Sequence, residues 1–224
     1  MFRLIHLFRT SIGRKLIMAL SGVVLLLFVV GHLVGNLTIF VAPSVLNSYA
    51  HWLQQSVMLW PFRLMMLFFL GLHIVMGATL AYENRQAATQ GSACHHWWQR
   101  LFYNHHMVWS GIAVLLFLLF HLGHLTLGVG ASESFYQVDQ QQVLDIYGRV
   151  VSGFQIPWIT TSYIFFMLLV GLHLNHVVRG LLQTLGFYHE NYFGLLRLFS
   201  IALSLLLTAG FISIPLTVLF GGLN

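Results

Sequence analysis

The chain has 224 residues, of which 58% are hydrophobic and only 7% charged, and its mean hydropathy is +0.82. A soluble domain carries about 25% charged residues, so this composition excludes a protein with an ordinary water-facing surface. The formal charge of +5 does not point to nucleic acid, because the basic residues are not gathered on one soluble face.

The chain opens on a basic segment (Arg3, Arg9, Arg14, Lys15) followed by an apolar run from Leu16 to Val41. That run is too long for the h-region of a cleaved signal, and no small-residue cleavage site with a soluble mature domain follows it. It predicts a first membrane helix near 16–41. Further runs near 60–82, 107–129, 158–181 and 196–220 are also long enough to cross a bilayer core, which takes about 20 residues. Backbone groups in lipid must pair among themselves, so these runs are expected to be helices. The connecting segments are 42–59, 83–106, 130–157 and 182–195, the third with a short surface helix expected around 139–151. No solenoid-type repeat is visible and no soluble domain fits between the spans. Residues 1–224 read as a single membrane domain.

Lysine and arginine then orient the bundle. With the N-terminus inside, Arg3, Arg9, Arg14, Lys15, Arg85, Arg100, Arg179 and Arg197 fall on inner segments, and only Arg63 and Arg149 fall outside. That asymmetry follows the positive-inside rule. It places the N-terminus in the cytoplasm and the C-terminus outside. Three of the five acids (Glu133, Asp139, Asp145) fall in the long outer loop.

One cysteine, Cys94, cannot close an intramolecular disulfide, ligate an iron–sulfur cluster or form a CxxCH attachment site. Chemistry must therefore come from elsewhere, and histidine is the abundant candidate at 13 residues. His32, His73, the pair His121 and His124, and the pair His173 and His176 lie deep in the first four apolar runs; the fifth has none. A single such histidine is most simply explained by a hydrogen bond to a neighbouring helix. Four helices each placing one is harder to explain that way, because polar side chains at membrane depth are costly and usually functional.

Depth sorts them into two levels. His32 lies roughly 24 Å and His121 roughly 21 Å from the inner ends of their runs, at about 1.5 Å per residue. His73 lies roughly 15 Å from the inner end of the second run, and His173 is similarly placed on the fourth, from the middle inward. Two pairs at two levels are what two stacked bis-histidine haems require. The i,i+3 neighbours share a face, so depth alone leaves His121 against His124, and His173 against His176, open. Arg179, one turn inward of His176, is a candidate propionate partner, with a positive-inside anchor as the competing role. Gly31, Gly35, Gly71 and Gly171 flank the histidines; they offer room for a porphyrin edge or, equally, for close helix packing. His95, His96, His105 and His106, with Trp97 and Trp98, read as an interfacial or subunit-contact loop. Gly128 and Gly130 are no nucleotide motif, since they follow a helix in an outer loop.

Three stretches carry a resemblance: SIGRKLIMALSGVVLLLFVVGHLVGNL (11–37), LLFLLFHLGHLTLG (115–128) and LLVGLHLNHVVRGLLQTLG (168–186). Over almost its whole length the chain resembles the five-helix di-haem cytochrome b anchors of succinate dehydrogenases and quinol:fumarate reductases. The resemblance implies an all-α integral membrane fold in which four of five helices surround two b haems. It pairs His32 with His121 and His73 with His173. It also implies a flavoprotein and an iron–sulfur subunit docked on the cytoplasmic side of a bacterial inner membrane, over Arg85–His106 and Arg179–Arg197, with a menaquinone-type quinone as substrate and dimeric complexes as an option. Two family glutamates are absent: the position two before the fourth-helix ligand is Gly171, and 42–72 contains no acid. His51 is then the nearest base for a quinone site there, with Asn47, Trp60 and Arg63 as neighbours, the competing location being the inner side near the proximal haem. The alternatives are an anchor of a hydrogenase or formate dehydrogenase, and a haem-free transporter using intramembrane histidines.

Overall fold

The computed structural model describes residues 10–91, 106–129, 134–138, 141–187 and 189–223. The loop histidines His95, His96 and His105, with Trp97 and Trp98, lie outside them, as does most of the expected docking loop. Among the described residues, five helices are long and apolar enough to cross a membrane: Ser11–Phe40, Leu59–Gln86, Met107–Thr126, Pro157–Thr184 and Glu190–Leu219. The protein is a multi-pass membrane protein. Between 6% and 28% of each apolar window is buried inside the bundle, so most of this surface faces outward, where lipid suits it.

In chain order the helices are α1 (Ser11–Leu37), α2 (Pro43–Gln55), α3 (Leu59–Gly91), α4 (His106–His121), α5 (Ile146–Phe154), α6 (Pro157–Thr184) and α7 (Phe193–Leu219). The spans are α1, α3, α4, α6 and α7. Thr10 caps α1, its hydroxyl accepting from the Gly13 N–H at 3.1 Å. Helix α3 runs beyond the expected end at 82 because Glu83–Gln90 contains no breaker until Gly91; hydropathy marks where a helix leaves lipid, not where it stops. Arg14 of α1 pairs with Glu83 of α3 at 2.5 Å, tying these neighbours at one end. Packing joins α1 to α3, α4 to α6, α6 to α7 and α1 to α6, while α3 and α4 meet only sparsely.

The segments between spans hold more structure than hydropathy suggests. The expected loop 42–59 contains α2, opened by Pro43, whose fixed φ suits the first helical turn. The helix expected around 139–151 is corrected: 135–138 and 141–144 form an antiparallel hairpin with Phe135 opposite Leu144, and the helix begins only at Ile146. Asp145 sets that start, its Oδ1 accepting from the Gly148 N–H at 2.9 Å. Asn47, completely buried, joins α2 to this cap: its amide donates to Asp145 Oδ1 at 2.9 Å and its carbonyl accepts from Tyr147 N–H at 3.0 Å. The larger buried core lies at this end of the bundle, around Phe117, Phe154, Tyr163, Met167 and Ile214. Leu33, Leu174 and Leu207 form a smaller cluster.

Candidate functional site

Helical geometry places the sequence-predicted histidines in two tiers. The lower tier lies beside Ser21 and Gly22 of α1 and Ser110 and Gly111 of α4. A Cβ built on Gly22 would stand 3.4 Å from Cε1 of His73, and one on Gly111 would stand 3.8 Å from Cε1 of His173. The upper tier lies ten residues along each helix, about 15 Å at the helical rise. There His32 of α1 and His121 of α4 face one another with ring centroids 5.8 Å apart and planes at 88°.

That separation has chemical meaning. A metal–imidazole bond is about 2 Å, and a ring centroid lies about 1 Å beyond its nitrogen, so two rings across one metal stand about 6 Å apart. The 5.8 Å between His32 and His121 is near that value, and is equally an ordinary edge-to-face ring separation. His121 Nδ1 is buried with no hydrogen-bond partner, which is costly for a polar atom. The surroundings are aromatic: Phe28 stacks on His32 at 5.4 Å, Phe211 of α7 lies 5.9 Å from it, and Phe117 lies 5.7 Å from His121.

His124 is differently placed. Residues Leu122–Thr126 form a π turn, a wider turn common at functional positions. Its Nδ1 is 3.0 Å from the Tyr163 hydroxyl, and the ring packs on Gly153, where a Cβ would approach Nε2 to 2.7 Å. His124 is a half-buried, hydrogen-bonded residue packed beside Tyr163 and Gly153, while His121 faces His32.

In the lower tier, His73 Nδ1 lies 3.4 Å from Ser21 Oγ, and His173 Nδ1 lies 3.0 Å from Ser110 Oγ. A small cleft of about 130 Å³, below the range of cofactor pockets, opens here between α1, α3, α4 and α6. His73, His176, Lys15 and Met107 line it, whereas His173 does not and lies against Ser110. His176 also bonds its own helix, Nδ1 to the Leu172 carbonyl at 2.9 Å.

Other expected roles shift. Arg179 is turned to Asn175 on its own helix, Nη2 to Oδ1 at 3.1 Å, with Nε buried and unpartnered; Lys15, rather than Arg179, lines the cleft. Gly35 and Gly171 make room for protein: a Cβ on Gly35 would meet the Tyr49 ring at 2.7 Å, and one on Gly171 would collide with Thr208 of α7. Gly31 and Gly71 have nothing within 4 Å. Asn47 is committed to the α5 cap, and Arg63 lies 5.2 Å over the Trp60 ring. His51 is half-buried on α2, four residues after Asn47 and on the same helical face.

The serines are what the histidine count missed, and their signal was in the sequence. Ser21-Gly22 precedes His32 by nine intervening residues, and Ser110-Gly111 precedes His121 by nine. Gly-Leu-His recurs at 71–73 and 171–173. The pair α1–α3 thus repeats as α4–α6, with each serine bonded to the histidine of the partner helix. No family model matches the sequence, and no curated protein and no solved structure matches it either.

Proposed function

We propose that this chain is the cytochrome b membrane anchor of a succinate dehydrogenase or quinol:fumarate reductase complex. In this reading it holds two b haems, His32 with His121 in the upper tier and His73 with His173 in the lower, and passes electrons between a menaquinone-type quinone and an iron–sulfur subunit. The observation that carries it is the approach of His32 to His121 at 5.8 Å from opposing spans; the related GLH histidines 73 and 173 lie about 15 Å away along the helices, each against a serine.

Among the described residues no group of three or more histidines, cysteines or carboxylates gathers as a metal site. Two imidazoles per tier would leave a bare ion short of the four or more ligands it prefers, whereas a tetrapyrrole brings four of its own. Bound haem would supply one-electron chemistry, its potential set by axial ligands and their hydrogen bonds. The chain supplies the rest: imidazoles at two levels, Lys15 and His176 beside the lower cleft, where an anionic edge would find a cation, and an apolar exterior that fixes the assembly in lipid. The internal repeat favours His173 over His176 as the partner of His73.

The arginine- and lysine-rich ends would face the cytoplasm of a bacterial cell and receive the iron–sulfur and flavoprotein subunits. Quinone chemistry would then take place at a membrane face, with His51 as the remaining base on the 42–72 segment. A haem-free proton transporter would need ionisable partners within the spans; Glu83, the acid found near one end of α3, is held by Arg14.

The test is an optical and redox titration of the purified chain and of His→Ala variants at 32, 73, 121 and 173. Two low-spin haems in the parent, with one lost in each variant, support the proposal. A colourless parent, or a variant that keeps both, overturns it.

A further inference from the structure

The lower-tier serines are held in a way that decides the protonation of their histidines. Ser21 Oγ lies 2.9 Å from the Met18 carbonyl, and Ser110 Oγ lies 3.0 Å from the Met107 carbonyl. A hydroxyl has one hydrogen, and in each serine that hydrogen is donated to the carbonyl one turn back. Toward the imidazole, each Oγ can then only accept. The arrangement that satisfies every partner has His73 and His173 donating from Nδ1, His73 with the Met18 carbonyl as a further acceptor, and Nε2 left with a free electron pair. The glycine after each serine lies against the same ring, where a Cβ would stand 3.4 Å (Gly22) and 3.8 Å (Gly111) from Cε1, in ordinary contact. The upper tier has no equivalent: His121 Nδ1 has no partner.

We propose that Ser21 and Ser110 are a matched pair of positioning residues that lock His73 and His173 as Nε2 donors and lower the midpoint potential of the lower-tier iron relative to an unbonded pair. This rests on the haem reading above, and it adds a role for two residues outside the ligand set. A histidine whose Nδ1–H is hydrogen-bonded is a stronger base at its other nitrogen, and outer partners of this kind are worth about 10- to 100-fold in metal affinity. A stronger base favours the oxidised metal, so removing the hydroxyl raises the potential. The shorter contact, at Ser110, carries the larger effect.

The experiment compares Ser21→Ala, Ser110→Ala and the Thr variants at both positions in the full chain, by redox titration and EPR of the low-spin iron. Each Ala variant is expected to raise the potential of one haem by up to a tenfold change in its oxidation equilibrium, about 59 mV for one electron, or to lose that haem, while the other haem is unmoved. Thr, which keeps the hydroxyl, restores parent behaviour. Two haems with parental potentials and spectra in both Ala variants overturn the serine role while leaving the haem reading intact. Equal loss of both haems in Ala and Thr variants overturns it too, since it puts the serines in helix packing. A parent without tetrapyrrole would sink the haem reading itself.

Discussion

The two tiers use equivalent histidines from repeated helix pairs but hold them by different means. In the lower tier the rings are fixed by serine hydroxyls at 3.4 and 3.0 Å beside an open cleft with Lys15 on its wall. In the upper tier they are fixed by packing: phenylalanines from α1, α4 and α7 surround them, and the main buried core with α2 and α5 closes over that end. Hydrogen bonds orient a ring by direction, whereas packing orients it by shape. The lower tier should thus respond to loss of single polar atoms, and the upper tier to loss of the elements that cap it.

The largest effect expected is at the upper pair. On the proposed function, His121→Ala should remove one of two haems, while His124→Ala should keep both, because His124 is bonded to Tyr163 and packed on Gly153. Haem content per chain, by pyridine hemochromogen assay, checks this. Equal loss in both variants would mean that the π turn does not separate the two histidines and that the upper tier is not the pair assigned here.

Next is the cap. Asn47→Ala would leave the Tyr147 N–H without its acceptor and Asp145 without one donor, in a completely buried place. Unsatisfied buried groups cost about 1–3 kcal/mol each, so a loss of about 3 kcal/mol is expected, read as a lower midpoint in thermal unfolding in detergent. The upper haem's spectrum should broaden while the lower one's does not. A cap defect that disturbs both equally would show that the tiers are not independently supported.

A smaller effect is expected where the π turn meets α5. Gly128 has φ +66°, and a Cβ there would stand 3.0 Å from the Arg149 guanidinium, which donates to the Leu125 carbonyl at 3.3 Å. Gly128→Ala must bear the left-handed backbone and displace a buried arginine, about 1–3 kcal/mol in all. Thermal midpoints of Gly128→Ala and Arg149→Lys measure the two components; unchanged stability in both would remove this contact from the upper cap.

Much of this was legible in sequence because lipid imposes a coarse rule. Runs of apolar residues long enough to cross had to be helices, and the structure has all five, with α3 running on past its expected end to Gly91. The histidines were equally visible, since a polar group in such a run stands out. Short-range structure between spans was hidden. The strands at 135–138 and 141–144 carry glutamines beside apolar residues, with no turn signal strong enough to displace a helical reading. Asp145 was the readable marker, a capping residue that fixes the helix start, and it was counted only as a charge. The glycines were ambiguous for a physical reason: one missing Cβ serves a cofactor or a neighbouring side chain equally well, and only the partner decides. Gly35 turned out to face Tyr49 and Gly171 to face Thr208.

That ambiguity yields the smallest expected effect, on one turn of α1 beside His32. Gly31 and Gly35 are both helical, and replacing a helical glycine by alanine stabilises by up to about 1 kcal/mol when nothing stands in the way. Beside Gly31 nothing stands within 4 Å, so Gly31→Ala should raise the thermal midpoint slightly and leave both haems in place. Beside Gly35 the added methyl would meet the Tyr49 ring at 2.7 Å, a rigid obstacle whose displacement costs about 1–3 kcal/mol, enough to reverse the sign. Opposite signs four residues apart would show that α1 meets α2 through Gly35 and leaves Gly31 outside the contact. A haem lost from Gly31→Ala alone would show instead that the space beside His32 belongs to the upper-tier cofactor, and that packing is not all that holds that ring.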